Sequence, residues 1–309
     1  MNIRTVALFI VSLSIAAFAS AREWVALDGT RVLADFVSAA GDQVTLKRTG
    51  DGVTFTYPLS RLSEADRAWV KQQQLAKPAA GAAKPIGGPF AKLITGQWEL
   101  SEEDGLKFAL YGGTNLNPAE KYPLVLSLHG KSKNEENGKQ VGGWMKSFAK
   151  PENYSERPCF IVAPLSAQPA AGEGMGWTGK QTEQVLKLVK ALEKSLPVDG
   201  KRIYITGHSM GGWGVCHVMG RDPRLFAAAI PVAGCSSGDA PQMMRKPVWM
   251  FHAADDATVP VATSRDFAKL MKLSKPFKFT ELPTGGHGVV GKVFDDPETH
   301  KWLFEQRQK

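Results

Sequence analysis

A serine hydroxyl is a poor nucleophile near neutral pH unless a neighbouring base takes its proton. The run Gly207-His208-Ser209-Met210-Gly211 has the form that exposes such a hydroxyl. It follows a short apolar run at 203–206 and precedes a helical pattern, so Ser209 is expected on a strand-to-helix turn above a sheet edge. The flanking glycines allow the tight turn, where side chains would clash. The following helix aims its N-terminus at the site and favours developing negative charge. The base is expected late in the chain, after an acid that orients it. His287 lies in Thr284-Gly285-Gly286-His287-Gly288, after the last apolar run, on a loop able to swing an imidazole over the sheet edge. His129 and His208 read as parts of their own loops, and His217 and His300 fall in helical segments. The acid, which fixes the imidazole tautomer and stabilises the imidazolium, should follow an earlier strand. After the run at 248–251 comes His252-Ala253-Ala254-Asp255-Asp256-Ala257-Thr258-Val259-Pro260, with Asp255 and Asp256 as rivals. An oxyanion needs two backbone N–H donors: Met210, next to the nucleophile, and Lys131, after Leu128-His129-Gly130. This chemistry calls for no metal and no organic cofactor, and no Cys or His spacing matches a zinc or haem site.

The elements that must carry these residues are short apolar runs at 124–128, 160–163, 203–206, 228–232, 248–251 and 277–282, as expected of strands buried on both faces. Helical spacing lies between them. Val185, Leu188, Val189, Leu192 and Leu196 share a face, with Thr178 and Gln181 as a capping box and Pro197 as the stop. Phe267, Leu270, Met271 and Leu273 mark another helix. Strand and helix alternating imply an α/β domain with a mostly parallel sheet covered on both sides. Runs at 98–100 and 108–111 flank an acidic turn and read as an antiparallel hairpin at the sheet edge.

Phe90 to Lys309 resembles the α/β-hydrolase esterases of the polyhydroxybutyrate depolymerase, feruloyl esterase and predicted peptidase group. The resemblance rests on Leu126-Ser127-Leu128-His129-Gly130, on Arg202 through Gly212, and on Phe226 through Gly234. It extends to Phe251-His252 with Asp256-Ala257-Thr258-Val259-Pro260-Val261, and to Gly285-Gly286-His287. It implies an α/β-hydrolase fold and a triad of Ser209, Asp256 and His287, with Asp256 preferred for its place before the Val-Pro pair. It also implies cleavage of carboxylic esters through an acyl-enzyme. A peptidase with the same triad is the alternative, and a binding protein with an inert hydrolase domain is a third reading. The chain departs from the group at Lys131-Ser132-Lys133-Asn134-Glu135-Glu136, where relatives are smaller and Gly-rich. That loop borders the expected substrate entrance. Trp144, Trp177 and Trp213 lie near the expected site loops and could stack on an aromatic or sugar ring, although core packing is the commoner use of tryptophan.

The first 89 residues are organised differently. Arg4, an apolar stretch at 6–18 and Ala19-Ser20-Ala21 form the pattern of a signal peptide cleaved after Ala21. The apolar stretch is short for a bilayer span of about 20 residues. A secreted or periplasmic protein without a stable membrane anchor is therefore expected. Residues 22–76 contain several short strands and one terminal helix starting near Ser63. Arg22-Glu23-Trp24, Ala34-Asp35-Phe36-Val37, Val44-Thr45-Leu46-Lys47 and Pro58-Leu59-Ser60-Arg61-Leu62-Ser63 resemble the Sla-type homology domain 1 family. That resemblance implies a small SH3-like β-barrel with either a peptide or envelope ligand or a spacer role. Residues 77–89, rich in Ala, Gly, Pro and Lys, have linker composition, and 90–309 form the expected catalytic domain. The net charge of +8 is scattered, without a dense basic run, so nucleic acid is not an expected partner. Three cysteines, Cys159, Cys216 and Cys235, leave at least one thiol unpaired within the chain.

Overall fold

The computed structural model describes residues 22–40, 42–75, 86–114, 116–131, 136–166 and 176–308. The expected signal segment and residues 77–85 of the expected linker lie outside the described residues. The chain divides into two compact units between Gln74 and Leu75.

In the smaller unit, β1 (Arg22–Val25), β2 (Arg31–Ala40), β3 (Gln43–Arg48) and β4 (Thr54–Pro58) pair antiparallel in sequence order. Helix α1 (Glu64–Leu75) follows. Alternate strand residues Trp24, Ala34, Val44 and Leu46 share a small core with Leu62 and Val70. Among the described residues the strands make a small antiparallel sheet and no closed barrel, so the expected SH3-like barrel is not confirmed. The two outer strands, β1 and β4, do not pair; the chain after β4 returns instead to the end of β1. There Ala26 bridges Leu62, and the Leu27 N–H donates to the Arg61 carbonyl. The result is an open sheet with a helix beside it. Ser63 caps α1, as its Oγ accepts the Asp66 N–H at 3.2 Å. The buried Asp66 carboxylate ties the unit together, accepting from Arg22 Nη2 at 2.5 Å, Val25 N–H at 2.8 Å and Ser63 Oγ at 2.8 Å. The Arg22 guanidinium also lies over the rings of Trp24 and Trp69, at 4.9 and 4.6 Å.

The larger unit begins with the expected hairpin, β5 (Trp98–Glu103) and β6 (Leu106–Tyr111), followed by β7 (Tyr122–Leu128). Short helices α2 (Gly143–Lys146) and α3 (Pro151–Tyr154) precede β8 (Phe160–Pro164) and α4 (Lys180–Ser195). Then come β9 (Val198–His208), α5 (Met210–Arg221), β10 (Ala228–Val232), α6 (Ala240–Met243), β11 (Val248–Ala253), α7 (Ala262–Met271) and β12 (Phe277–Leu282). Helices α8 (Val290–Asp295) and α9 (Pro297–Glu305) close the unit. The sheet order is β12-β11-β10-β9-β7-β8-β6-β5, parallel from β12 to β8, with β6 and β5 antiparallel at one edge.

The strand period of two divides the apolar residues between two cores. Leu124, Leu126, Phe160, Val162, Ile203 and Ile205 face one side, which α4 and α5 cover with Val185, Leu188, Val189, Val215 and Met219. Val125, Ile161 and Tyr204 face the other, under Val293, Phe294 and Leu303 of the last two helices. Both faces of the central strands are therefore packed against apolar side chains. Two details differ from the sequence reading. Thr178 does not cap α4: the helix starts after Gly179, at φ 54°, and the Thr178 carbonyl, not its side chain, accepts the Gln181 N–H. Only Phe267 and Met271 of the α7 pattern are buried; Leu270 is exposed, and Leu273 lies beyond the helix end.

Replacing Asp66 by Ala strips the partner from Arg22 and from the Val25 N–H. It should destabilise the smaller unit by about 2–3 kcal/mol, read in full-length protein as a lower urea midpoint for the tryptophan fluorescence of that unit. Unfolding of the larger unit should keep its midpoint.

Candidate active site

Ser209 lies between β9 and α5 with φ 56° and ψ −120°, a strained conformation for a residue with a side chain. Close packing holds the turn. A side chain at Gly207 would collide with the Gly211 carbonyl, and one at Gly211 with the Leu128 carbonyl, so both glycines are needed for close backbone approach. The Ser209 N–H donates to the Val232 carbonyl at 2.9 Å, and its own carbonyl accepts from Gly212 N–H at 2.7 Å. Neighbouring strands β7 and β10 thus clamp the turn on both sides.

Ser209 Oγ lies 2.8 Å from His287 Nε2, and His287 Nδ1 lies 2.8 Å from Asp256 Oδ2. The three sequence-predicted residues therefore form one hydrogen-bonded chain. The Asp256 side chain is inaccessible to solvent, whereas His287 remains partly open. Four donors surround the Asp256 carboxylate. Thr258 and Val259 N–H groups donate to Oδ1 at 2.8 and 2.9 Å, and the rings of His287 and His252 reach Oδ2. Burial pushes its pKa up, but the Val259 N–H, the His287 ring and the Thr258 N–H outweigh that and hold it below the ordinary carboxylate value. Its rival Asp255 is an exposed loop ligand. It accepts the N–H groups of Gly285 and Gly286 at 3.3 and 2.7 Å, and the Gly286 bond foremost keeps its pKa low. Gly285 and Gly286 have φ of 146° and 55°, backbone that glycine adopts most readily. Asp255 therefore fastens the loop that presents His287.

The sequence reading places His129 and His208 in their own loops and gives His252 no role; the structure gives all three specific work. His208 Nε2–H donates to the His287 carbonyl at 2.7 Å, tying the Ser209 turn to the His287 loop. His129 Nδ1–H donates to the Gly130 carbonyl at 2.6 Å, and its Nε2 accepts the Ser166 N–H at 2.9 Å. Burial lowers the pKa of both rings, which favours the neutral forms these bonds use. His252, wholly buried, bonds the acid itself. The signal for all three was their position at strand ends: His208 closes β9, His252 is near the end of β11, and His129 follows β7 directly.

Met210 is the first residue of α5, where an N–H has no carbonyl four residues earlier within the helix. Gly130 packs so closely on the nucleophile turn that a side chain there would lie 3.3 Å from Ser209 Cβ. The loop expected to supply the second oxyanion donor therefore borders the serine. Lys131 is the last described residue of that loop before 136; residues 132–135 lie outside the described residues. Of the three tryptophans, Trp177 is core, fully buried with Nε1–H donated to the His129 carbonyl at 3.1 Å. Trp144 stacks on Phe294 at 5.0 Å between centroids. Trp213 lies close against Gly234 and is half-buried. The three cysteines are free and buried. Among the described residues, no group of three or more His, Cys, Asp and Glu is placed to hold a metal ion, and no helix is long and apolar enough to cross a membrane.

A model of the prolyl oligopeptidase family matches residues 175–241, the stretch around Ser209. The bifunctional acetylxylan esterase/xylanase XynS20E of Neocallimastix patriciarum is 28% identical over 170 residues, 53% of this chain. The match spans 23% of that relative's length. Among solved structures, a thermostable esterase is 29% identical with a TM-score of 0.62, covering 69% of this chain and 63% of that one. The feruloyl esterase module from Clostridium thermocellum, complexed with sinapinate, is 14% identical with a TM-score of 0.54, covering 75% of this chain and 92% of that one. With the mostly parallel eight-stranded sheet, these likenesses identify the larger unit as an α/β-hydrolase fold.

Two consequences can be measured. The lowered pKa of Asp256 means that its contribution to stability is complete above the unfolded value, about 3.9, and is lost as pH falls through the depressed native value. Between pH 5 and pH 3, urea unfolding should show a larger loss of stability in the wild type than in Asp256→Asn. Asp255→Ala releases the His287 loop without touching the three-residue chain, and should lower kcat on a bound ester by about tenfold with an unchanged circular dichroism spectrum.

Proposed function

We propose that the larger unit is a serine hydrolase that cleaves carboxylic esters, with Ser209 as nucleophile, His287 as general base and acid, and Asp256 as the orienting carboxylate. The unbroken hydrogen-bonded chain from Ser209 Oγ to Asp256 Oδ2 carries this reading. His287 Nε2 takes the Ser209 proton as Oγ attacks the ester carbonyl. The tetrahedral oxyanion is received by the N–H groups of Met210 and Lys131. Collapse expels the alcohol, which leaves with the proton from His287, and an acyl-enzyme remains. Water, deprotonated by the same imidazole, then releases the acid and restores Ser209. The Asp256 carboxylate stays ionised throughout and faces the imidazolium that forms in each step.

The ester preference draws on the acetylxylan esterase and the thermostable esterase, each similar over part of this chain. On that footing the substrate class is a small or polysaccharide-linked carboxylic ester. The residues at 1–21 act in this reading as a cleaved leader that sends the protein to the periplasm or beyond, 22–76 as a separate module with a peptide or envelope ligand, 77–89 as linker and 90–309 as the catalytic domain. A peptidase with the same three residues is the second reading. The prolyl oligopeptidase model favours it over the segment it matches.

Short-chain p-nitrophenyl esters and matched p-nitroanilides separate the two readings. The wild type should hydrolyse the esters, and Ser209→Ala should lose about 10⁴-fold or more in kcat. Faster turnover of the anilides would establish the peptidase instead, and ester turnover equal in wild type and Ser209→Ala would overturn both.

A further inference from the structure

Asp256 Oδ2, the oxygen that faces the proposed base, has a second ring beside it. His252 Nε2 lies 3.1 Å from that oxygen and 3.0 Å from the Val259 carbonyl. Both neighbours accept hydrogen bonds, so the proton of this ring belongs on Nε2. On the far side of the ring, His252 Nδ1 lies 2.7 Å from Ser264 Oγ, a hydroxyl able to donate to it. Ser264 Oγ in turn lies 3.7 Å from Cys235 Sγ, whose thiol reaches the Thr263 carbonyl. Every member from Asp256 inward is buried, and the His252 and Ser264 side chains are wholly inaccessible.

We propose that His252 is a positioning residue of the Ser209 site: its Nε2–H fixes the Asp256 carboxylate against His287 and pins the turn 256–259 to strand β11. This rests on the catalytic reading above. The physical case comes from which element each group occupies. Asp256 is on a loop, beyond the end of β11, and a loop carboxylate turns about its own side-chain bonds unless both oxygens are held. The Thr258 and Val259 N–H groups hold Oδ1, but they belong to the same loop and move with it. His252 is the penultimate residue of β11, and β11 is paired on both sides, to β10 and to β12. Its ring transfers the rigidity of the sheet to Oδ2. Ser264, near the start of α7, fixes the plane of the ring from the other side. The acid is thereby referenced to the sheet, to the following helix and to the base loop at once. The bifurcated bond to the Val259 carbonyl closes the turn that supplies both Oδ1 donors, so one ring controls both carboxylate oxygens.

The test compares wild type, Ser209→Ala, His252→Leu and His252→Gln in steady-state ester hydrolysis. It is joined by ¹⁵N-histidine NMR of the wild-type full chain. Leucine fills the space without a donor, while the glutamine amide nitrogen reaches the place of imidazole Nε2. The expected result is a fall in kcat of about 10–100-fold for His252→Leu, the scale of one lost hydrogen bond to a charged group. KM should stay within about twofold, and His252→Gln should recover most of kcat. The NMR spectrum should show His252 protonated on Nε2 and bare on Nδ1. Full kcat in His252→Leu overturns the proposal. So does a loss in His252→Gln as deep as in His252→Leu, which would make the ring a packing element. If His252→Leu fails to fold, the wild-type spectrum still decides, because a proton on Nδ1 with Nε2 bare removes the bond to Asp256. A wild type no faster than Ser209→Ala would sink the catalytic reading instead, a result separate from each of these.

Discussion

The backbone at Ser209, with φ 56° and ψ −120°, is held in a conformation that costs a non-glycine residue on the order of 1–3 kcal/mol. Most of the larger unit can be read as what keeps it there. Strands β7 and β10 clamp the turn through close glycine contacts and the Ser209–Val232 hydrogen bond. Those strands stay fixed because both faces of the sheet are packed, each with its own apolar core. A sheet exposed on one side would have to resist the same local strain with half the contacts. The strained turn also sets the direction of α5, so the Ser209 hydroxyl and the helix N-terminus behind it share one constraint.

Around that turn the site is organised by histidines with fixed bonding partners. His129 joins the loop after β7 to Ser166; His208 joins the Ser209 turn to the His287 loop; His252 joins β11 to the Asp256 loop. Burial lowers the pKa of His129 and His208, and a neutral imidazole, with one donor and one acceptor on opposite edges, can bridge two elements without bringing in charge. The Asp256 carboxylate is buried, and the Thr258 and Val259 N–H groups and the His287 and His252 rings replace the hydration it has lost. Asp256 is thus saturated and buried, whereas His287 remains partly open to solvent.

How much of this was legible in the sequence depends on the range of the interaction. The strand ends that carry Ser209 and Asp256 follow from apolar runs broken by glycine or by acidic turns, a pattern of period and punctuation. The glycines before His287 marked a loop of unusual backbone, as Gly285 and Gly286 show. His252 stands in the same sequence block as Asp256, but nothing in its spacing says that its ring turns back onto the carboxylate four residues later; that needs the depth of β11 within the sheet. The open edge of the smaller unit was hidden for a related reason. Four short strands predict a sheet, and only the path of the chain at 59–63, which returns to β1 at Ala26, decides whether the sheet closes. The absent side-chain cap at Thr178 is the local counterpart, since a glycine at φ 54° starts the helix instead.

The cysteines carry one further consequence. Cys159, Cys216 and Cys235 are buried, unpaired, and held by burial in the thiol form, with Cys235 pushed up to about 11. None exposes a thiolate to an oxidant. The architecture therefore owes nothing to a covalent cross-link, and its folding waits on no oxidation step.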